Sequence, residues 1–416
     1  MADTTADGGL ITVADATSWN VPATAKLGPY NKTSREGTIA DIIVDEPKIT
    51  GNVNVGTTTT KPHNVPIRSP PPKTITGIFL GGKGWDFCGR IDNAKLYGEK
   101  GAPHSNIIYV PDDYAKIQWA VDNASAGSTI IVRDGTYTEN VHVNKRLTIR
   151  SENGSASTIV QAANPNDHVF EVTADYVNIS SFTVEGASGY GKSGIYLYSG
   201  DYCNISNNNC LNNRYGIYLD SSNNNVILSN SYWDNKYESI RFWYSTNNKL
   251  RENIMVNNGL GFVGYLLSHF KHEIDTSNTV NGKPVYYWND IEGGSIPAEA
   301  GQIILVNCSN VVVENLELHN ATSAIEVAFS SHITIKNNDC SNNSEYGIHL
   351  RYSNYNTLYN NDCSNNNWDG IDLAYSNNNT ISDNNCSNSK YFEGIYFVGS
   401  NNNIVSNKWG APQTNA

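Results

Sequence analysis

The chain has 416 residues, with 28 Lys and Arg against 40 Asp and Glu, a formal net charge of -12. That length allows a substantial core, and an acid excess without clustered Lys or Arg excludes the phosphate neutralisation on which nucleic-acid binding depends. Only 16% of residues are charged. The polarity comes from Asn, Ser, Thr and Tyr, which suits exposed turns and hydroxyl-rich partners such as glycans.

Residues 1–103 follow no repeat. Strand-like pieces ("GLITV", "TIADIIV", "KTITGIFL") flank "GTTTTKPHNVPIRSPPPK", Gly56 to Lys73, whose Pro run reads as an extended linker. The expectation is a separate β-rich module for assembly or anchoring. The first residues, "MADTTADGGLITV", have no basic start and no apolar run, so no secretory signal is expected there. An extracellular protein would then have lost its signal, or leave the cell as virion components do. The longest apolar stretch, Leu260 to Leu267, is far short of the roughly 20 residues of a membrane-crossing helix.

In "IIYVPDDYAKIQWAVDNASAGSTIIV" the pattern changes. Asp112 or Asp113 is placed to N-cap a short helix with Tyr114, Ile117, Ala120, Val121 and Ala124 on its apolar face, ended by Gly127. A helix at this point would cap the open end of the solenoid that follows.

A repeat then takes over. A small residue precedes an apolar pair at Gly194, Gly216 and Ser239, and again at Ala324, Gly347, Gly370 and Gly394, in steps of 22, 23, 23, 23 and 24. A second apolar pair recurs between them, as in Val226-Ile-Leu, Thr357-Leu and Thr380-Ile. Short strands with period-2 alternation and Asn/Ser/Gly turns indicate a solenoid. Leucine-rich repeats need a dense Leu framework, which is missing. The prediction is all-β: a right-handed parallel β-helix over 104–410, with 22–24 residues per coil, an insert at about 259–301 and a tail at 411–416. Stacked strands lie about 4.7–4.9 Å apart, so like residues lie over like. Cys340, Cys363 and Cys386 should therefore form one internal file, with Cys210 at the equivalent place, acting as small hydrophobes. Seven cysteines without a CxxC pair argue against a disulfide framework and a zinc site. The Asn clusters supply left-handed turns and amides that can bond from coil to coil.

The stretch from Ile107 to Ser151, with "NTVNGKPVYYWNDIEGGSIPAEAGQIILVNCSNVVVENLEL" from Asn278 to Leu318, resembles NosD-like and related archaeal surface proteins. These belong to the right-handed β-helix domains of carbohydrate-binding proteins and sugar hydrolases. The resemblance covers roughly 104–410 and implies fold more than activity. In such proteins "NGKPVYY" followed by "AGQIILVNCSN" interrupts the helix between two sets of coils, so the insert is expected to protrude as a loop or small sheet. Copper, suggested by the NosD name, would want Met and Cys with His. Two Met, internal cysteines and only His269, His272 and Glu273 in "SHFKHE" argue against it, and no cofactor or metal is expected.

Within Gly-Ile-x-Leu-x the Ile and Leu point inward, so the x positions should line one exterior face. The first column reads Tyr196, Tyr218, Arg241, then Glu326, His349, Asp372 and Tyr396; the second holds Tyr198, Asp220, Trp243 and Arg351. Flat rings beside charged and amide groups suit sugars. The carbohydrate-binding candidates are thus Tyr196, Tyr198, Tyr218, Asp220, Arg241, Trp243, Arg351 and Tyr396. Glu326 and Asp372, two coils or about 9.6 Å apart with His349 between, stand at the edge of the separation used by inverting glycosidases. They are the candidate catalytic residues. Three readings follow. The first is a non-catalytic extracellular surface or assembly protein, presenting this face to carbohydrate or to copies of itself in a homo-oligomer or filament. The second is a polysaccharide hydrolase, lyase or epimerase. The third is a virion tail spike, favoured by the missing signal and disfavoured by the missing trimerisation sequence.

Overall fold

The computed structural model describes residues 106–406. The expectations for residues 1–103 and for the tail at 411–416 lie outside the described residues.

The helix expected near residue 115 forms at Ile117–Asn123 and buries Ile117, Ala120 and Val121. Its cap differs from expectation. Neither aspartate caps it: Lys116 occupies the N-cap position without a side-chain bond. Asp113 instead accepts the Tyr109 backbone N–H through Oδ2 at 2.7 Å, closing the turn before the helix. The competing local bond won, as short Asp side chains allow.

From Thr129 onward the chain coils as predicted. A first arm, 129–280, has three parallel sheets visited in rotation. Register is strict: Tyr196 lies opposite Tyr218, and Tyr218 opposite Arg241. A second arm, 283–406, repeats the arrangement. Its front sheet holds Gln302–Val306, Ile325–Ala328, Ile348–Arg351, Ile371–Ala374 and Ile395–Val398. There Glu326 pairs with His349, His349 with Asp372, and Asp372 with Tyr396. Both columns read from the sequence are therefore real columns. Ile, Leu, Val and Phe fill the bore, with Ile325, Ile348, Ile371 and Ile395 in one file.

Cys340, Cys363 and Cys386 also stack in the core, Cys363 touching both neighbours. Beside them run the asparagines. Asn230 shows the device: its Oδ1 accepts the N–H of Asn208 at 2.9 Å, and its Nδ2 donates to the Ile205 carbonyl at 2.8 Å and to Asn253 Oδ1 at 3.2 Å. One amide thus satisfies turn groups of its neighbouring coils, which a buried turn requires. Residues such as Asn207, Asn337 and Asn360 take positive φ at the corners, a conformation Asn tolerates better than most.

The segment expected to protrude does not. Leu260–Val263 adds a last strand to the first arm, and Lys283–Asn289 starts the second. The chain reverses between them: Thr279–Val280 pairs antiparallel with Lys283–Pro284, while Val285–Asn289 pairs parallel with Gln302–Val306. This hairpin turns the second arm back against the first. Gly259 N–H donates to Thr322 Oγ1 at 2.9 Å. Gln302 takes the place of a missing strand, accepting Leu260 N–H at 2.9 Å and donating to Leu260 O at 2.8 Å. Further from the bend, Tyr237 and Trp368 bring their ring centroids within 6.3 Å. Five strand spacings on a straight axis would put them about 24 Å apart. The arms double back. No helix among the described residues is long and apolar enough to cross a membrane.

Candidate functional site

The bend changes where the predicted columns face. Glu326, His349 and Asp372 were expected on an exterior face, yet each is buried. For Glu326 and His349 the reason is the neighbouring arm: their sheet abuts the first arm around a cavity of about 230 Å³, whose lining does not include Asp372. The first arm contributes Glu238, Arg241, Trp243 and Val263; the second contributes Glu326, Glu345, His349, Arg351 and Trp368. A second, more open cavity of about 440 Å³ shares His349, Arg351 and Trp368, and extends over Asp372 to Tyr396 and Phe392. Together they make one cleft, narrow at the bend and wider away from it.

Of the candidates, the structure therefore brings together Arg241, Trp243, Arg351, Glu326 and His349, with Asp372 and Tyr396 further out. Tyr196, Tyr198, Tyr218 and Asp220 lie along the first arm, away from that cavity's lining. Tyr196 stacks on His168 at 4.1 Å and donates to Asp220 Oδ2 at 3.1 Å. Tyr218 lies beneath the Arg241 guanidinium, 5.7 Å from its carbon. Tyr198 is half exposed, at 50%.

Sequence reasoning missed Glu238, Glu345, Trp368 and Asp369. All sit in the turn just before the front strand, in "YES", "EYG" and "WDG". The signal was available: the two positions ahead of each repeated small residue are rich in acids and rings. They enter the site because the arms meet at these corners.

The electrostatics are those of a dry, acid-rich pocket. Burial pushes the Glu326 carboxyl up to about 7, against the pull of the Arg351 guanidinium and with help from Glu238. Glu345 is raised well above its ordinary range by burial and by Glu238, and Asp369 reaches about 7 through burial. Burial first and Arg351 second hold the His349 imidazole down at about 4. Its Nε2 accepts from Arg351 Nε at 2.9 Å and lies 3.1 Å from Asp372 Oδ2. Arg241 donates to Glu238 Oε1 at 2.5 Å. A Cβ at position 261 would lie 2.6 Å from Glu238, so Gly261 leaves that carboxylate its room. Glu238 Oε2, Glu326 Oε1, Glu345 Oε1 and Asp372 Oδ1 are buried without a hydrogen-bond partner. Each has a hydrogen bond still to make, as acceptor when ionised or as donor where the carboxyl keeps its proton, a state buried polar groups seldom keep. The arrangement can receive hydroxyls or amines, stack a ring on Trp368, and hold a carboxylic proton near neutral pH.

A copper site does not fit these residues. His272 Nδ1 accepts the Asn248 N–H at 3.2 Å, and its Nε2 faces the His269 carbonyl at 3.3 Å. Both histidines are buried. No group of three or more His, Cys, Asp or Glu among the described residues is placed to hold a metal ion.

Comparison with known proteins gives two family matches: residues 121–282 to the family described as periplasmic copper-binding protein (NosD), and residues 289–409 to the right-handed beta helix region. A cell surface glycoprotein of Methanothermus fervidus is 38% identical over 119 residues, 28% of this chain and 19% of that protein. The match thus spans about a fifth of that relative's length. Among solved structures, the A-module of Azotobacter vinelandii mannuronan C-5 epimerase AlgE4 is 15% identical, covering 71% of this chain and 92% of that one, with a TM-score of 0.34. The Dettilon tailspike protein is 13% identical, covering 73% and 68%, with a TM-score of 0.38. With its coil register and its bore of stacked apolar files, the chain has the right-handed parallel β-helix fold, and its two arms resemble, over the residues given, the NosD family and the right-handed beta helix region.

Proposed function

We propose that this is a cell-surface protein that binds carbohydrate in the cleft between the two arms of its β-helix. The likeness to a cell surface glycoprotein supports the location. The observation that carries the binding reading is the set of buried carboxylate oxygens without partners, gathered around one cavity with Trp243 and Trp368. Buried carboxyl oxygens without partners favour a ligand dense in hydrogen-bonding groups, and sugars offer several hydroxyls around the ring with an apolar face for stacking. Trp368→Ala should weaken binding to a cognate oligosaccharide at least tenfold by calorimetry, with little change in melting temperature. Unchanged affinity counts against the cleft as the binding surface.

A second reading is favoured by one observation. Glu326 keeps its proton up to about 7 beside the Arg241-paired Glu238, the pairing of acid and base that glycoside hydrolysis uses. On this reading Glu326 protonates the leaving oxygen, and a carboxylate takes a proton from the attacking water. Glu326→Gln should then abolish reducing-sugar release while leaving binding in place. No release by the unaltered protein from any bound glycan leaves binding as the whole function.

A further inference from the structure

The cleft is not open at both ends. At the bend the arms are joined directly: Gly259 to Thr322, Leu260 to Gln302, and Gln302 Nε2 to the Ser323 carbonyl at 3.1 Å. Ser323 and Gly261 line the narrow cavity immediately beside these bonds, so its inner end is closed by backbone and by a fully buried glutamine. At the other end the wider cavity reaches Phe392, which is 61% exposed. A polymer running along such a cleft would have to stop at the bend. About 230 Å³ is less than the usual range for a drug-sized ligand and suits one sugar ring.

The charges at the closed end also choose. Three acids, Glu238, Glu326 and Glu345, face two arginines there, with Asp369 and Asp372 in the wider part of the cleft. Both arginines are engaged within the protein, Arg241 by Glu238 and Arg351 by His349. Arg241 is thus neutralised, and the three carboxyls of the lining outnumber Arg351, the one lining arginine without a carboxylate partner among the described residues, while buried carboxyl oxygens stand unpartnered. A uronic acid would bring one more buried carboxylate beside three carboxyls, and like charges at close range disfavour one another. A neutral sugar brings hydroxyl donors, and an amino sugar brings N–H donors as well.

We propose that the cleft grips the end of a glycan chain, seating a terminal neutral or amino sugar against the carboxylates at its closed end. This rests on the carbohydrate reading above. The test uses an array of linear hexose, hexosamine and hexuronate oligosaccharides, each coupled to the surface through its reducing end or through its non-reducing end. Hexose or hexosamine chains should bind in one orientation and lose at least tenfold in the other, and hexuronates should bind at least tenfold more weakly. Equal binding in both orientations overturns end recognition while leaving carbohydrate binding standing. A preference for hexuronates overturns the charge assignment. No binding to any chain overturns the carbohydrate reading itself, and this inference with it. Val263→Trp, at a half-buried edge position lining the narrow cavity, should fill the seat and cost at least tenfold in affinity with the melting temperature held. Unchanged affinity in that variant overturns the placement of the sugar at the closed end.

Discussion

Glu326 shares a column with His349 and Asp372, one and two coils further on; all three are buried, and Glu326 and His349 line the cavity between the arms. The price of that burial depends on pH. In the unfolded chain Glu326 loses its proton near 4.5, whereas in the fold it holds it to about 7. The folded state therefore binds the extra proton between those values. Its contribution is complete below pH 4.5 and is lost as pH rises towards 7, by at most about 3 kcal/mol. Asp369 acts with the same sign, and His349, held at about 4, with the opposite sign between 6.5 and 4. Glu326→Gln should thus gain on the unaltered protein in chemical denaturation at pH 7 relative to pH 5. A pH-independent difference would contradict the buried carboxyl. The identity and register of this column were legible in the sequence, because a repeat of about 23 fixes which side chains stack. Its burial was not, because periodicity reports which residues share a face and is silent about what that face meets.

Each corner of the coil depends on one amide, and Asn361 is representative. It accepts the Asn338 N–H at 3.1 Å through Oδ1, and its Nδ2 donates to the Ile335 carbonyl and Asn384 Oδ1, both at 2.9 Å. Asn361→Ala leaves a buried N–H and a buried carbonyl unpaired, which costs about 2–4 kcal/mol. Asn361→Asp restores only the acceptor and places a charge in the core, so it should be no better. Urea titrations of the two variants check the order. The cysteine file differs in kind: Cys363 packs between Cys340 and Cys386 as a small apolar group. Cys363→Ala should cost less than Asn361→Ala, because no donor is orphaned. These elements were the most readable part of the chain. Stacking demands that a turn solution found once be repeated, and repetition is visible without coordinates.

At the scale of the molecule, the second arm depends on the contact made by Gln302. Gln302→Ala removes three hydrogen bonds and strands both polar groups of Leu260. The arms should then part: small-angle scattering should show a larger radius of gyration, and any glycan affinity should fall, while circular dichroism keeps its β signature. An unchanged radius would mean that the hairpin alone sets the angle. The bend itself left only faint marks in the sequence. The first column, elsewhere Tyr, Arg, His or an acid among the residues read from the repeat, shrinks to Gly261 where the arms meet, and the second has Ala at both 328 and 374. Small residues where a column is otherwise bulky mark a close approach by another part of the chain. That rule marks Gly261, though Ala374 meets it as well without lining the inter-arm cavity.

The hairpin at Asn281 and Gly282 has one more consequence, for how such a chain can change over generations. Each coil is an exchangeable module, so duplicating or deleting a 23-residue unit lengthens or shortens one limb while leaving the elbow untouched. A lineage could tune the length of either limb simply by copying modules, with the chemistry at the elbow inherited unaltered.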